Sequence, residues 1–277
     1  MNPSNCLNYV ILALVCRISC YGDIGHEMIG YLFVRMLNNA TLEKLESIMK
    51  MPENQLPFTK AARWADKIKK KREYIHTQHY HFMNNNVELP SRCLLNYDTC
   101  KGNGCLITSL KNFTAILTKK GVSPKERQEA ALFMIHLIGD LHNPMHMLTN
   151  ERGGMKMKVL FEGQHSNLHF VWDSKMLRKR IKDDFGGFKE KYFRASSVAL
   201  TSIFSTETLK ASNEAFHVGM IDAWAAEVVR YNCRGVLKYF KGEEISTKYY
   251  EQMIILVESL IQKAALRLAL IFNTILK

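Results

Sequence analysis

The stretch SPKERQEAALFMIHLIGDLHNPMH, residues 123–146, contains one helix with both of its end signals. Ser123 can cap the helix, Pro124 suits its first position, and Glu126 stands where it can close a capping box. The helix should run through Ala130–Leu141 and stop near Pro144, because proline cannot continue the ladder. Two polar residues interrupt its apolar run. His136 and Asp140 are four apart and project from one face, amid Phe133, Met134, Ile135, Leu137 and Ile138. A carboxylate there would be stranded at considerable cost without a partner, and a metal ion is the natural one. His146 follows just beyond Pro144, where the turning chain can bring back a third ligand.

Working outward, His169 and Asp173 repeat the i, i+4 pairing, and His and carboxylate ligands on rigid elements suit zinc. Helical periodicity recurs over His26–Leu37, Thr41–Met49, Thr59–Lys70, Cys105–Leu117, Asn167–Leu177, Leu209–Tyr231 and Tyr249–Leu276. Residues 84–104, rich in Asn, Gly, Pro and Cys, read as loop. Gly153–Phe161 alternates lysine with apolar residues and predicts a short surface hairpin, and Gly186-Gly187 marks a turn. The chain has 277 residues, 47% of them hydrophobic, with no repeat and no Pro/Ser-rich linker. That pattern predicts a mainly α fold with a single core.

The first twenty residues stand apart. Met1–Asn8 is polar, Tyr9–Cys16 is an apolar run too short to span a bilayer, and small residues precede Tyr21, so residues 1–20 read as a secretory signal peptide. Met253–Leu276 carries Glu258, Lys263 and Arg267 and reads as an amphipathic core helix, which leaves an exported chain without a membrane anchor. Cleavage would remove Cys6, Cys16 and Cys20. The four remaining cysteines suggest two disulfides: Cys100 and Cys105 can close a small loop around Lys-Gly-Asn-Gly, leaving Cys93 and Cys233 as a long-range staple. Asn39-Ala-Thr and Asn112-Phe-Thr are glycosylation sequons. A formal charge of +12 favours polyanionic partners.

HLIGDLHNPMH at 136–146, Gly153-Gly154, and NLHFVWDS at 167–174 together resemble the zinc-dependent single-strand-specific nuclease family. That family includes fungal nucleases, plant bifunctional nucleases and trypanosomatid 3′-nucleotidase/nucleases, with bacterial zinc phospholipase C as a distant relative. The resemblance continues through YGDIGH at 21–26, WAD at 64–66, HYHF at 79–82, the four cysteines and LRLA at 266–269, over nearly all of residues 21–277. It implies a helical bundle of the phospholipase C/nuclease type holding three zinc ions. Asp66, His81 and His136 would hold the first, with Asp140 bridging; His146, His169 and Asp173 the second; His26, Asp140 and the amino nitrogen and carbonyl oxygen of Tyr21 the third. An α-amino group, with a pKa near 8, yields its proton to a metal readily, but at Tyr21 it exists only after the leader is cut. Relatives usually carry Trp at that position.

The resemblance also implies the reaction: endonucleolytic hydrolysis of single-stranded DNA and RNA at the 3′ oxygen, leaving 5′-phosphates, with 3′-nucleotidase activity. Asp66 and Asp140 would belong to the catalytic group. Lys69 stands where relatives tend to have Arg and would place a cation near the phosphate, and a solvated lysine within Lys67–Arg72 is a reading of equal weight. Phe82 would stack a nucleobase, or simply fill the core. Asn84 stands near where some relatives read the base edge with Asp. His142 is expected to make a supporting hydrogen bond, and His76, His79, His165 and His217 to be ordinary solvated or structural histidines. Two rival functions are a zinc-dependent phospholipase C and a non-catalytic secreted protein that binds zinc or nucleic acid. Asp173, where a phospholipase would be expected to carry Glu, and the basic charge both argue against the former.

Overall fold

The computed structural model describes residues 22–50, 58–83, 93–100, 104–203, 215–238 and 241–277. Its helices are α1 (Gly22–Phe33), α2 (Asn39–Met49), α3 (Phe58–Ala61), α4 (Trp64–Ile68), α5 (Leu106–Thr118), α6 (Pro124–Leu141), α7 (Leu168–Phe170), α8 (Met176–Phe185), α9 (Lys189–Ile203), α10 (Met220–Tyr231) and α11 (Lys248–Ile275). A ten-residue 3-10 helix, Arg72–His81, follows α4. The sheet is one antiparallel hairpin, β1 (Lys158–Phe161) with β2 (Gln164–Asn167). The architecture is mainly α, as the periodicity predicts.

Helix α6 is the axis of the core. The Ser123 hydroxyl accepts from the Glu126 N–H and Pro124 takes the first position; every residue from Ala130 to Leu141 is buried. Helices α1, α2, α5 and α11 pack around it. The helix ends at Leu141, and the chain turns through a 3-10 segment, Pro144–Met147, in which the Asn143 side chain accepts from the Met145 N–H.

An aromatic cluster ties the smaller elements to this axis. Phe113 of α5 and Phe133 of α6 stack 4.8 Å apart at 5°. Trp64 meets Phe133 edge-on at 5.1 Å, and Tyr80 meets it at 5.9 Å. Each such pair contributes about 0.5–1.5 kcal/mol beyond its buried area. Trp64 is two residues before Asp66, Tyr80 adjoins His81, and Phe133 is three before His136, so the cluster gathers polar residues as it packs. On the opposite side, α1 meets α3 closely enough that a Cβ on Gly30 would stand 2.4 Å from the Phe58 carbonyl oxygen.

Three segments depart from their expected form. The helix expected over Thr59–Lys70 is two short helices broken at Ala62 and Arg63, and the break releases the Ala62 carbonyl to accept from His136. The hairpin lies at 158–167 rather than 153–161, because Glu162 and Gly163, with φ of 51° and 71°, form its two-residue turn, the geometry that matches strand twist. The helix expected from Leu209 begins at Met220; residues 204–214 lie outside the described residues, and the Met220 N–H bonds the His217 carbonyl in a turn. Both expected disulfides are present, Cys93–Cys233 across 140 positions and Cys100–Cys105 across 5. Among the described residues no helix is long and apolar enough to cross a membrane.

Candidate metal centre

Seven elements deliver eight ligand-type side chains to one place. His26 comes from α1, Asp66 from α4, His81 from the end of the 3-10 helix, His136 and Asp140 from α6, His146 from the turn after it, and His169 and Asp173 from α7 and the π-helical segment Val171–Lys175. All are buried, Asp66 the least so at 8% exposure. Their ligand atoms form three sets, each within 4.8 Å, of which the first two share His136: His26, Asp66 and His136; His81, His136 and Asp140; His146, His169 and Asp173.

Asp140 is the centre of the arrangement. Its Oδ2 is 2.8 Å from His81 Nδ1 and 3.2 Å from His136 Nε2, and its Oδ1 is 3.3 Å from His26 Nε2 and 3.5 Å from His146 Nδ1. Gly139 makes room beside it: a Cβ there would stand 2.8 Å from His26 Nδ1. The His26 and His136 rings stack at 3.8 Å.

These separations fit a shared cation better than a hydrogen-bond network. Two atoms each 2.0–2.1 Å from one tetrahedral zinc stand about 3.3 Å apart. His169 Nε2 and Asp173 Oδ2 are 3.0 Å apart, and His146 Nε2 and Asp173 Oδ1 3.7 Å. Yet the Nε2 atoms of His146 and His169 and Oδ2 of Asp173 are buried without a hydrogen-bond partner among the described residues. Unsatisfied buried polar atoms are costly, and three of them facing one another mark a position for an ion.

Backbone carbonyls set how the imidazoles point. A carbonyl has no proton to give, so each ring nitrogen facing one must be the donor. His136 Nδ1 donates to Ala62 O at 2.6 Å, His146 Nδ1 to His81 O at 2.8 Å and His169 Nδ1 to Gly153 O at 2.7 Å. Each of these rings therefore turns its Nε2 inward, the nitrogen that carries the lone pair in the neutral tautomer, which is the support typical of metal-bound histidine. Gly153 can make its contact because its φ of 64° and its approach to Met145 O, 2.9 Å from any Cβ, exclude other residues.

The electrostatics favour ligation as well. Burial opposes the charge on Asp140, but His136 and His146 hold its carboxyl well below the usual range. Asp173 is likewise lowered, against burial, by His169 and His146. Burial, followed by the Lys69 ammonium, pushes His81 down to about 4, which keeps it neutral. Asp140 and Asp173 in turn raise His146 against its burial, so the two carboxylates draw positive charge to this place, which a proton on the imidazole or a bound metal ion can supply.

The other expected site residues are placed as follows. Lys69 is not solvated: it is 9% exposed and its Nζ is 2.5 Å from Asp66 Oδ1. Phe82 is half-buried, with its ring stacked on His146 at 4.9 Å and tilted against His169 at 6.4 Å. His142 donates from Nδ1 to Ile138 O and accepts at Nε2 from Arg267; burial and Arg267 push it down to about 3. His76, His79, His165 and His217 are exposed, in line with a solvated role. Tyr21 and Asn84 lie outside the described residues, as does the leader. Gly22 bears on the former, since a Cβ on it would stand 2.1 Å from Ser174 Oγ and 2.9 Å from the Asp173 carbonyl; the start of α1 is therefore seated on the segment that carries Asp173.

Sequence reading missed the groups that brace the ligands. Arg63 donates to Asp23 and Glu27, and Lys189 to Glu27, fastening α1 beside His26. Arg267 also pairs with Glu227, which receives Lys263 as well. Helical spacing of charges on α11 was the one signal, and it could not say which were turned inward.

A family model described as S1/P1 Nuclease matches residues 21–277. Nuclease S1 of Aspergillus oryzae is 29% identical over 272 residues, covering 93% of this chain and 92% of its own length. Nuclease P1 of Penicillium citrinum is 26% identical over 270 residues, covering 92% and 97%. Endonuclease 1 of Arabidopsis thaliana is 24% identical over 284 residues, covering 97% and 91%.

Proposed function

We propose what this chain does from one premise: it belongs to the S1/P1 nuclease family. It is therefore a nuclease, a hydrolase of phosphodiester bonds, and its fold holds three groups of His and Asp residues that can bind metal. The finer reading is a secreted endonuclease that uses three zinc ions to cut single-stranded DNA and RNA at the 3′ oxygen, leaving 5′-phosphates, and that also acts on 3′-nucleotides. The observation that carries it is the meeting of eight buried ligand-type side chains, Asp140 at their centre, in which Nε2 of His146, Nε2 of His169 and Oδ2 of Asp173 face one another without a hydrogen-bond partner among the described residues.

In this reading Asp66, His81, His136 and Asp140 hold one zinc, His146, His169 and Asp173 a second, and His26, Asp140 and the amino and carbonyl groups of Tyr21 a third. Bound zinc supplies Lewis acidity, lowering the pKa of water toward neutrality and neutralising phosphate charge. The protein groups do the positioning. Asp140 touches ligands of every set and fixes their spacing. Lys69 sets an ammonium beside Asp66 where negative charge develops on the phosphate, as a point charge without the bidentate fork of an arginine. Phe82, braced by His146, offers a ring for a nucleobase, and a base must be unpaired to stack there, which gives preference for single strands. Asn84 would meet a base edge with an amide that both donates and accepts.

Processing belongs to the same reading, with residues 1–20 as a signal peptide and residues 21–277 as one nuclease domain. The family match beginning at residue 21 and the seating of Gly22 against Asp173 support cleavage before Tyr21. Asn39 and Asn112 are both exposed, as glycosylated asparagines must be.

The test is to incubate the purified mature chain with single-stranded DNA, RNA, duplex DNA, 3′-AMP and phosphatidylcholine, with and without a chelator. The expected result is cleavage of both single strands and of 3′-AMP, slower attack on duplex, none on phosphatidylcholine, and loss of all activity to the chelator with recovery on adding zinc. Cleavage of phosphatidylcholine alone, or nuclease activity indifferent to the chelator, would overturn the reading.

A further inference from the structure

Immediately after Asp66 the sequence runs Lys67-Ile-Lys-Lys-Lys-Arg72. The structure sorts these residues into two groups. Ile68 and Lys69 are turned inward, whereas Lys67, Lys70, Lys71 and Arg72 are exposed. Among the described residues the side chains of these four make no ion pair or hydrogen bond, unlike Lys111, Lys182, Lys189 and Lys263, which all find carboxylates. Solvated lysines are common, and exposure alone would carry nothing. The position of these is what matters.

The run is bounded on both sides by the site. Arg72 is six residues from Asp66, at most about 22 Å of extended chain, and it begins the 3-10 helix that ends at His81 next to Phe82. The exposed side chains of that helix include Ile75, 58% exposed, with His76 and His79. These are an apolar contact and two planar rings, groups on which unpaired bases can rest. Glu73 is the one acidic residue in 67–79. One short segment thus joins the candidate base ring at Phe82 to four exposed cations that have no carboxylate partner among the described residues.

We propose that this outer face is a strand-binding track, which takes the phosphates of a single-stranded polynucleotide beyond the nucleotide being cut. It rests on the nuclease reading and deepens it, since it makes the length of the strand a determinant of activity. Phosphates that replace counterions at four cations make binding salt-dependent, by about −0.7 in log K per log salt for each contact on a single strand.

The test compares three processed full-length proteins: wild type, K67Q/K70Q/K71Q/R72Q, and a control with the same charge removed from exposed sites elsewhere, K119Q/K120Q/K241Q/K248Q. For each, kcat/KM is measured against salt on a long single-stranded oligonucleotide and on a dinucleotide. Between ~50 and ~200 mM salt the wild type should lose roughly 50-fold more activity on the oligonucleotide than the track variant does, the effect of four contacts at the slope above. The difference should lie in KM, the dinucleotide should be cut equally by all three proteins, and the control should keep the wild-type slope. Equal flattening in the control would assign the effect to overall charge and overturn the track, as would an equal loss on the dinucleotide or no change in slope. If the wild type cuts neither substrate, the nuclease reading fails and the track with it; if it cuts both and the slopes agree, only the track fails.

Discussion

Asp140→Asn is expected to reduce kcat/KM by about 10²–10³-fold and to strip the protein of bound metal while leaving its far-UV circular dichroism unchanged. Asn has the shape of Asp, so α6 keeps its packing. What is lost is the charge that stands within 3.5 Å of four histidines, His26, His81, His136 and His146. A 10²–10³-fold loss is about 2.7–4.1 kcal/mol at 1.36 kcal/mol per decade, comparable with the about 3–5 kcal/mol that removing one partner from a buried charged group costs. Metal analysis of the purified variant gives the second readout. A variant that kept its metal and lost less than about tenfold in rate would show that Asp140 is not the shared ligand.

Replacing both Cys93 and Cys233 by Ser is expected to have the largest effect on stability. The bridge spans 140 positions, and removing a native disulfide that closes a long loop typically costs about 2–5 kcal/mol. For a domain of this size that lowers Tm by roughly 5–15 °C. The loss should reach the site as well, because Asn232, adjacent to Cys233, donates from its amide to the Pro144 carbonyl at 3.1 Å, at the start of the turn that carries His146. The same exchange at Cys100 and Cys105, separated by only 5 positions, should cost less, since closing a short loop removes less entropy. Scanning calorimetry of the two double variants under oxidising conditions checks the order, and equal losses would contradict it.

The cluster of His and Asp side chains was legible because such groups are expensive to bury. A histidine and an aspartate at helical spacing in an otherwise apolar helix require a partner, and α6 announces its own limits through Ser123 and Pro144. The places where the structure departs from the expectations depend on contacts between segments distant in sequence. The break between α3 and α4 frees a carbonyl for His136, 74 positions away, and no local propensity signals that. Lys69 and Lys70 are neighbours of one type, and only the packing of α4 turns the first toward Asp66 and leaves the second in solvent. The hairpin slipped because its turn uses a glutamate at positive φ, and the Glu244 carboxylate holds that turn by accepting from the N–H groups of Glu162 and Gly163. The π-helical stretch Val171–Lys175, a form that recurs at functional sites, has no signature in the periodicity.

The most direct measurement is anomalous scattering at the zinc edge from crystals of the mature chain, paired with its metal content in solution. The account predicts three zinc peaks, one between Asp66, His81 and His136, one between His146, His169 and Asp173, and one beside His26 and the processed amino terminus, with Asp140 reached from more than one of them. Peaks lying elsewhere, or a chain that carries no zinc yet cleaves nucleic acid at full rate, would contradict it.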